Sequence, residues 1–175
     1  GSLFETHLMV EIIQGDCLKS LRNLAPKSVN TCVTSPPYFG LRDYGDEGQL
    51  GLEETPEEFV ENLVKVFKEV KRVLRDDGTV WLNLGDSYAM SSMRGKNSEF
   101  KSISQSKSGI VNVKKNIPHG LKAKDLIGIP WRVAFALQQD GWYLRQDIIW
   151  HKPNPMPESV RDRCTKSHEY IFLLS

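Results

Sequence analysis

Two adjacent prolines constrain this chain more than any other feature. Pro36 and Pro37 follow directly on the apolar, β-branched run Val29 to Val33, which reads as a strand. A proline has no N–H to give to a ladder or a helix, and its ring fixes φ, so regular structure must stop here. The chain is expected to leave the strand and turn sharply through Ser35-Pro36-Pro37-Tyr38. Carbonyls in such a turn are not consumed by a ladder and are free to face a ligand. Ser35 adds a hydroxyl that donates or accepts, and Tyr38 adds a flat ring suited to stacking.

The rest of the chain alternates around that turn. Met9 to Gln14 reads as a buried strand ending in the turn Gly15-Asp16. Leu18, Leu21 and Leu24 share one helical face, closed by Pro26. Phe39 to Glu54 is glycine-rich and polar, hence a loop. Thr55 is a good N-cap, Pro56 suits the first helical position, and Glu58 completes a capping box. Phe59, Leu63, Phe67, Val70 and Leu74 then recur at helical spacing, and Gly78 is expected to stop that helix. Thr79 to Leu84 reads as a strand ending at Gly85-Asp86. Pro130 to Gln139 reads as a helix with Val133, Phe135, Ala136 and Leu137 supplying its apolar surface, and Gly141 ends it. Trp142 to Trp150 and His168 to Leu174 read as strands. This alternation predicts an α/β domain with a mostly parallel sheet. Ligands of open sheets bind beyond the carboxyl ends of the strands, where Gly15-Asp16, Ser35 to Tyr38 and Gly85-Asp86 all fall.

Composition sets the outer bounds. At 175 residues, 39% hydrophobic and 26% charged, the chain has enough for one domain with a core and is neither a disordered tail nor collagen-like. A net charge of +1 still leaves room for a basic patch that meets nucleic acid. No apolar run approaches the roughly 20 residues of a membrane helix, and no secretory signal opens the chain, so a cytoplasmic location is expected. Cys17, Cys32 and Cys164 lack metal-ligand spacing, so no metal is expected and they read as structural thiols. Residues 89–124 lose all hydrophobic period. Arg94, Lys96, Lys101, Lys107, Lys114, Lys115, Lys122 and Lys124 are opposed there only by Glu99. Lys96, Lys101, Lys107, Lys114 and Lys115 are candidates for contacts to DNA phosphates, against the plainer reading of a solvated loop. His168-Glu169 reads as a structural pair at a strand start, and His119 and His151 as loop residues without a catalytic role.

The stretch Thr34-Ser35-Pro36-Pro37-Tyr38 resembles the catalytic motif of amino-group DNA methyltransferases, which use S-adenosylmethionine. The Ser form of the motif is typical of cytosine-N4 methylation. Asp or Asn in the first position is typical of adenine methylation. Ile12 to Leu18 is similar to the family strand whose Asp receives the cofactor's adenine amine, which implies cofactor binding at Gly15, Asp16 and Ser35. Asp76 to Asp86 resembles the turn and core strand after the catalytic motif, and Asp147 to Pro157 the late motif beside the target base. The resemblance implies a Rossmann-like methyltransferase fold. It departs from the family at one place, since the glycine loop of type Asp-Pro-Phe-x-Gly-Ser-Gly is absent. In the permuted subgroup that loop lies near the C-terminus, so residues 1–175 are expected to form the N-terminal catalytic half, one incomplete domain. A complementary C-terminal half or a second copy is then the expected partner besides DNA.

The resemblance implies direct methyl transfer to a base flipped out of the duplex. Ser35 and the Pro36 carbonyl would accept the two amine hydrogens, Pro37 would stiffen the turn, and Tyr38 would stack on the base. Asp16 would accept from the cofactor's adenine amine. Two rival readings stand beside cytosine methylation. One is adenine methylation on a Ser-type motif. The other is a non-catalytic remnant that only binds DNA or a partner.

Overall fold

A computed structural model describes residues 10–41, 44–45, 48–89 and 117–175. The elements run α1 (Cys17–Arg22), β1 (Val29–Thr34), α2 (Pro56–Val73), β2 (Leu74–Leu84), α3 (Ile129–Gln139), β3 (Leu144–His151) and β4 (His168–Leu174).

Helix α2 starts as its sequence dictates. The Thr55 hydroxyl accepts from the Glu58 N–H at 3.2 Å, and Pro56 occupies the first turn. The Glu58 carboxylate reaches back to the Glu54 N–H at 3.2 Å, one residue earlier than a capping box requires. Phe59, Leu63, Phe67, Val70 and Val73 are buried along one stripe. The expected stop at Gly78 is corrected. The helix ends at Val73, and Leu74 is already extended and pairs with Val29. Gly78 instead lies within β2. A Cβ there would sit 2.5 Å from Leu74 Cδ2 and 3.0 Å from the carbonyl oxygens of Arg75 and Asn30, so close strand approach is what demands glycine.

The sheet has the order β1-β2-β4-β3. β1 and β2 pair in parallel, whereas β4 pairs antiparallel with both β2 and β3. Among the described strands three therefore run one way and β4 is reversed. The α/β class stands, but the sheet is mixed rather than mostly parallel in its pairings. Parallel neighbours need a crossover, and α2 supplies one between β1 and β2. Residues 152–167 form no helix, so β4 returns beside β3 as an antiparallel partner.

Two other expectations are corrected. Residues 10–14 form no strand; Val10 is 88% exposed and Ile12 89%. An apolar run is buried only where a sheet edge and a covering layer receive it, and no described strand pairs the outer edge of β1. In α3 the buried residues are Ile129, Pro130, Val133, Ala134 and Leu137, while Phe135 is half exposed against Trp131.

The core lies between one sheet face and the pair α2–α3. Val80, Leu82, Leu84, Phe172 and Leu174 alternate onto that face and are fully buried with Phe59, Leu63, Val133 and Leu137. The opposite face bears Val33 and Trp81, register partners with substantial exposure. No helix among the described residues is long and apolar enough to cross a membrane.

Candidate active site

Strand direction gathers the polar residues at one end of the sheet. The carboxyl ends of β1, β2 and β3 lie there, and the reversed β4 contributes its amino end. Thr34 pairs with Leu82, Leu84 with Tyr170, and His151 with His168. Asn83 pairs with Ile171, which places Glu169 diagonally beside it on the same face.

The turn after β1 sits on that end. The Tyr38 hydroxyl donates to Glu169 Oε2 at 2.7 Å and lies 3.0 Å from Asn83 Oδ1. The Ser35 hydroxyl donates to Asn83 Oδ1 at 3.2 Å. Asn83 Nδ2 donates to Glu169 Oε2 at 3.2 Å and to the Tyr170 carbonyl at 3.1 Å. The Lys152 ammonium pairs with the other Glu169 oxygen and sits 5.4 Å over the Trp150 ring. Burial pushes the Glu169 carboxyl up, but hydrogen bonds from Lys152, Tyr38 and Asn83 outweigh it and hold the group below the usual carboxylate range. Burial, with the bond to Glu169, pushes the Tyr38 phenol up to about 12. Tyr38 is therefore a neutral donor and Glu169 an anion at neutral pH.

Glycines bring the turn close. A Cβ at Gly85 would meet Tyr38 Cε2 at 2.6 Å, so the ring lies on bare backbone. A Cβ at Gly51 would meet the Tyr38 carbonyl oxygen at 2.8 Å, and Gly51 also has φ +96°. Phe39 pins the far side of the turn; its ring packs 5.6 Å from Phe59, and its carbonyl accepts from Ser87 Oγ. An open cavity of ≈ 310 Å³ remains, lined by Ser35, Pro36, Pro37, Tyr38, Leu41 and Tyr44.

All four residues of the expected catalytic turn line that cavity, and Ser35 and Tyr38 are wired into one network. Gly15 and Asp16 do not line it. Asp16 is exposed and caps α1, accepting from the Lys19 N–H at 2.9 Å. Asp86, expected in the same polar tier, caps α3: one carboxylate oxygen accepts from the N–H groups of Ser87, Gly128 and Ile129. The lysines Lys96, Lys101, Lys107, Lys114 and Lys115 lie outside the described residues. Asn83 escapes the sequence reading, Glu169 reads there only as a structural residue at a strand start, and Lys152 only as part of the late motif. Their signal is an amide inside the apolar run Val80 to Leu84 and a carboxylate opening the apolar run Tyr170 to Leu174. Among the described residues no group of His, Cys, Asp and Glu side chains is placed to hold a metal ion.

Comparison with known proteins falls on the same region. The DNA methylase family profile for N6 and N4 methyltransferases matches residues 29–175. The chain is 55% identical over 164 residues to the type II methyltransferase M.Cfr9I of Citrobacter freundii, covering 94% of this chain and 53% of that protein. It superposes on a putative DNA modification methylase of Thermus thermophilus complexed with S-adenosyl-L-methionine, with a TM-score of 0.59 and 23% identity, covering 91% of this chain and 50% of that one. The cytosine-N4-specific PvuII DNA methyltransferase gives a TM-score of 0.59 at 19% identity, covering 92% and 47%. The chain thus spans about half the length of the relatives it matches.

Proposed function

This chain belongs to the DNA methylase family, and from that premise we propose that the protein methylates the exocyclic amine of a flipped DNA base, cytosine in preference to adenine. The observation that carries the reading is the Pro36-Pro37 turn at the end of β1, which sets Ser35 and Tyr38 on the wall of one open cavity. Its ≈ 310 Å³ volume lies within the roughly 300–1,000 Å³ typical of small-ligand sites.

An exocyclic amine is a poor nucleophile because the ring withdraws its lone pair. Positioning and polarisation are what a rigid turn supplies. Ser35 and the Pro36 carbonyl accept the two amine hydrogens and hold the nitrogen in line for attack. Tyr38, braced by the Gly85 backbone, offers its ring to the base for stacking. Flipping the base costs a few kcal/mol, which these contacts offset. The Ser at the head of the motif is the feature that favours cytosine.

S-adenosyl-L-methionine, when bound, supplies the electrophilic methyl group. The residues present fit its adenine end. Asp16 uses one carboxylate oxygen to cap α1, which leaves the other to accept from an amine. Gly15 has φ +146°, and a Cβ there would meet only Ser20 Oγ at 3.6 Å, so approach to its backbone is open.

The test is methyl transfer by the whole protein from tritiated cofactor to DNA, followed by mass spectrometry of the nucleosides. N4-methylcytosine is expected. Methyl on adenine alone would overturn the choice of base, and no transfer would overturn the reaction.

A further inference from the structure

Glu169 is the second residue of β4, and its carboxylate ties the turn after β1 to the sheet. We propose that Glu169 is a positioning residue which, through the Asn83 amide, fixes the direction of the Ser35 hydroxyl hydrogen and so presents Ser35 to the target amine as an acceptor. The inference rests on the amine-methylation reading above and deepens it.

The geometry leaves the Asn83 amide one orientation. Its Nδ2 lies 3.2 Å from Glu169 Oε2 and 3.1 Å from the Tyr170 carbonyl oxygen. Both partners are acceptors without a hydrogen, and the Lys152 ion pair keeps the carboxylate charged. Only an NH₂ group can face two such acceptors. Turning the amide over would set its oxygen against a carbonyl and an anion, losing two hydrogen bonds. Oδ1 is thereby committed to the side of Ser35, 3.2 Å from its hydroxyl oxygen.

Ser35 has one hydroxyl hydrogen, and Asn83 Oδ1 takes it. The serine lone pairs are then left for the cavity. That direction matters for the chemistry. A hydrogen pointing into the cavity would compete for the amine lone pair, the electrons that must form the new bond to carbon. A lone pair pointing there accepts an amine hydrogen and raises electron density on nitrogen. The Tyr38 oxygen also stands within reach of Ser35, but either acceptor turns the serine hydrogen away from the cavity. The Tyr38 hydrogen goes to the charged oxygen of Glu169 at 2.7 Å in preference to the neutral one of Asn83 at 3.0 Å, which leaves Asn83 Oδ1 open to Ser35. The competing reading makes Glu169 only the partner of Lys152.

Kinetics of Glu169→Gln and Glu169→Ala in the whole protein separate the two readings. Glutamine with its carbonyl oxygen turned to the Asn83 NH₂ keeps that bond while its own NH₂ faces Lys152 and the ion pair is lost, whereas alanine keeps neither. Misplaced reacting groups slow the chemical step by up to about a hundredfold. Glu169→Ala should lower kcat at least about tenfold with KM for DNA within roughly threefold, and Glu169→Gln should recover kcat to within roughly threefold of the parent. Asn83→Ala should match Glu169→Ala, and the double variant should be no slower than Asn83→Ala alone, since the two act in series. Glu169→Gln as slow as Glu169→Ala, or a double variant whose losses multiply, would overturn the proposal. Glu169→Gln also decides the matter by itself where the alanine variant melts early, because it is nearly isosteric. A parent protein that transfers no methyl group overturns the amine-methylation reading instead, which keeps the two failures apart.

Discussion

Gly85 is the position on which the Tyr38 ring depends. A Cβ there would lie 2.6 Å from Tyr38 Cε2 and 2.9 Å from Cδ2, and the ring is tethered at its far end by the 2.7 Å bond to Glu169. Gly85→Ala should push the ring aside, loosen that bond and destabilise the chain by about 1–3 kcal/mol, read as a shift in denaturant midpoint. Activity of the whole protein should fall further than stability, because the displaced ring lines the cavity. An unchanged midpoint would mean that the ring moves freely. Titration makes a second prediction at this scale. Tyr38 has a folded value near 12, above the ordinary value of about 10. Its contribution is whole below pH ~10 and is lost as pH rises toward the folded value. Glu169 is held below the usual carboxylate range. Its contribution is present above pH ~4.3 and is lost as pH falls through the folded value. Tyr38→Phe should therefore flatten the alkaline limb of stability against pH, and Glu169→Gln the acid limb. Denaturation midpoints measured across the pH range check both, and limbs that persist in the variants would assign them to other groups.

Helix α2 links the core to the turn. Phe59 is fully buried, and its ring meets Phe39, the residue after Tyr38. Phe59→Ala should cost about 3–5 kcal/mol and release the far side of the turn, so the melting temperature and methyl transfer should fall together. Thr55→Ala removes only the helix cap, worth about 1 kcal/mol, and should leave kcat alone. Urea denaturation alongside single-turnover rates separates the two, and equal kinetic loss in both would break the proposed link. Such local features were legible in the sequence. The proline pair, the Thr55 cap and the Phe59 to Val70 stripe depend on neighbours within a few turns. What failed depends on distant partners. Residues 10–14 have strand composition but no described strand to pair with. Gly78 reads as a helix stop until the approach of Asn30 and Leu74 is seen. The turn through Pro36 and Pro37 was visible because proline acts where it stands. Asn83 and Glu169 were not, because their meeting needs the antiparallel register of β2 with β4 across the molecule.

Among the described residues the sheet is covered by helices on one side, and the site residues lie on the other. α2 and α3 cap one face of the sheet, while Ser35, Asn83 and Glu169 share the other with Val33 and Trp81. At the same end the chain makes a narrow neck. Tyr88 bridges Leu126, the Ala89 N–H donates to the Asp125 carbonyl at 2.8 Å, and the Lys124 N–H to the Ala89 carbonyl at 2.7 Å. The Arg163 guanidinium stacks 3.7 Å over the Tyr88 ring, and Lys124 pairs with Asp162, so the neck is fastened to the segment after β3. Ala89 and Lys124 thus meet on this neck, a few positions past Gly85 and Asp86. A net charge of +1 gives this chain little general attraction to a polyanion, so on the proposed function its part in DNA contact falls to local basic clusters. Lys96, Lys101, Lys107, Lys114 and Lys115 lie in a stretch opposed by Glu99 alone, and we predict that they meet phosphates flanking the flipped base. Each phosphate contact contributes about 0.9 to the slope of log K against log salt concentration. Changing all five lysines to glutamine in the whole protein should flatten that slope by as much as roughly four to five units and weaken binding uniformly across DNA sequences. Changing exposed lysines on remote helices, Lys19 on α1 and Lys65 on α2, should leave the slope where it was. Salt titrations of DNA affinity for the three proteins decide it: a slope that survives the fivefold change would make the segment a linker and send the search for phosphate contacts to Arg161 and Lys166 in the segment after β3.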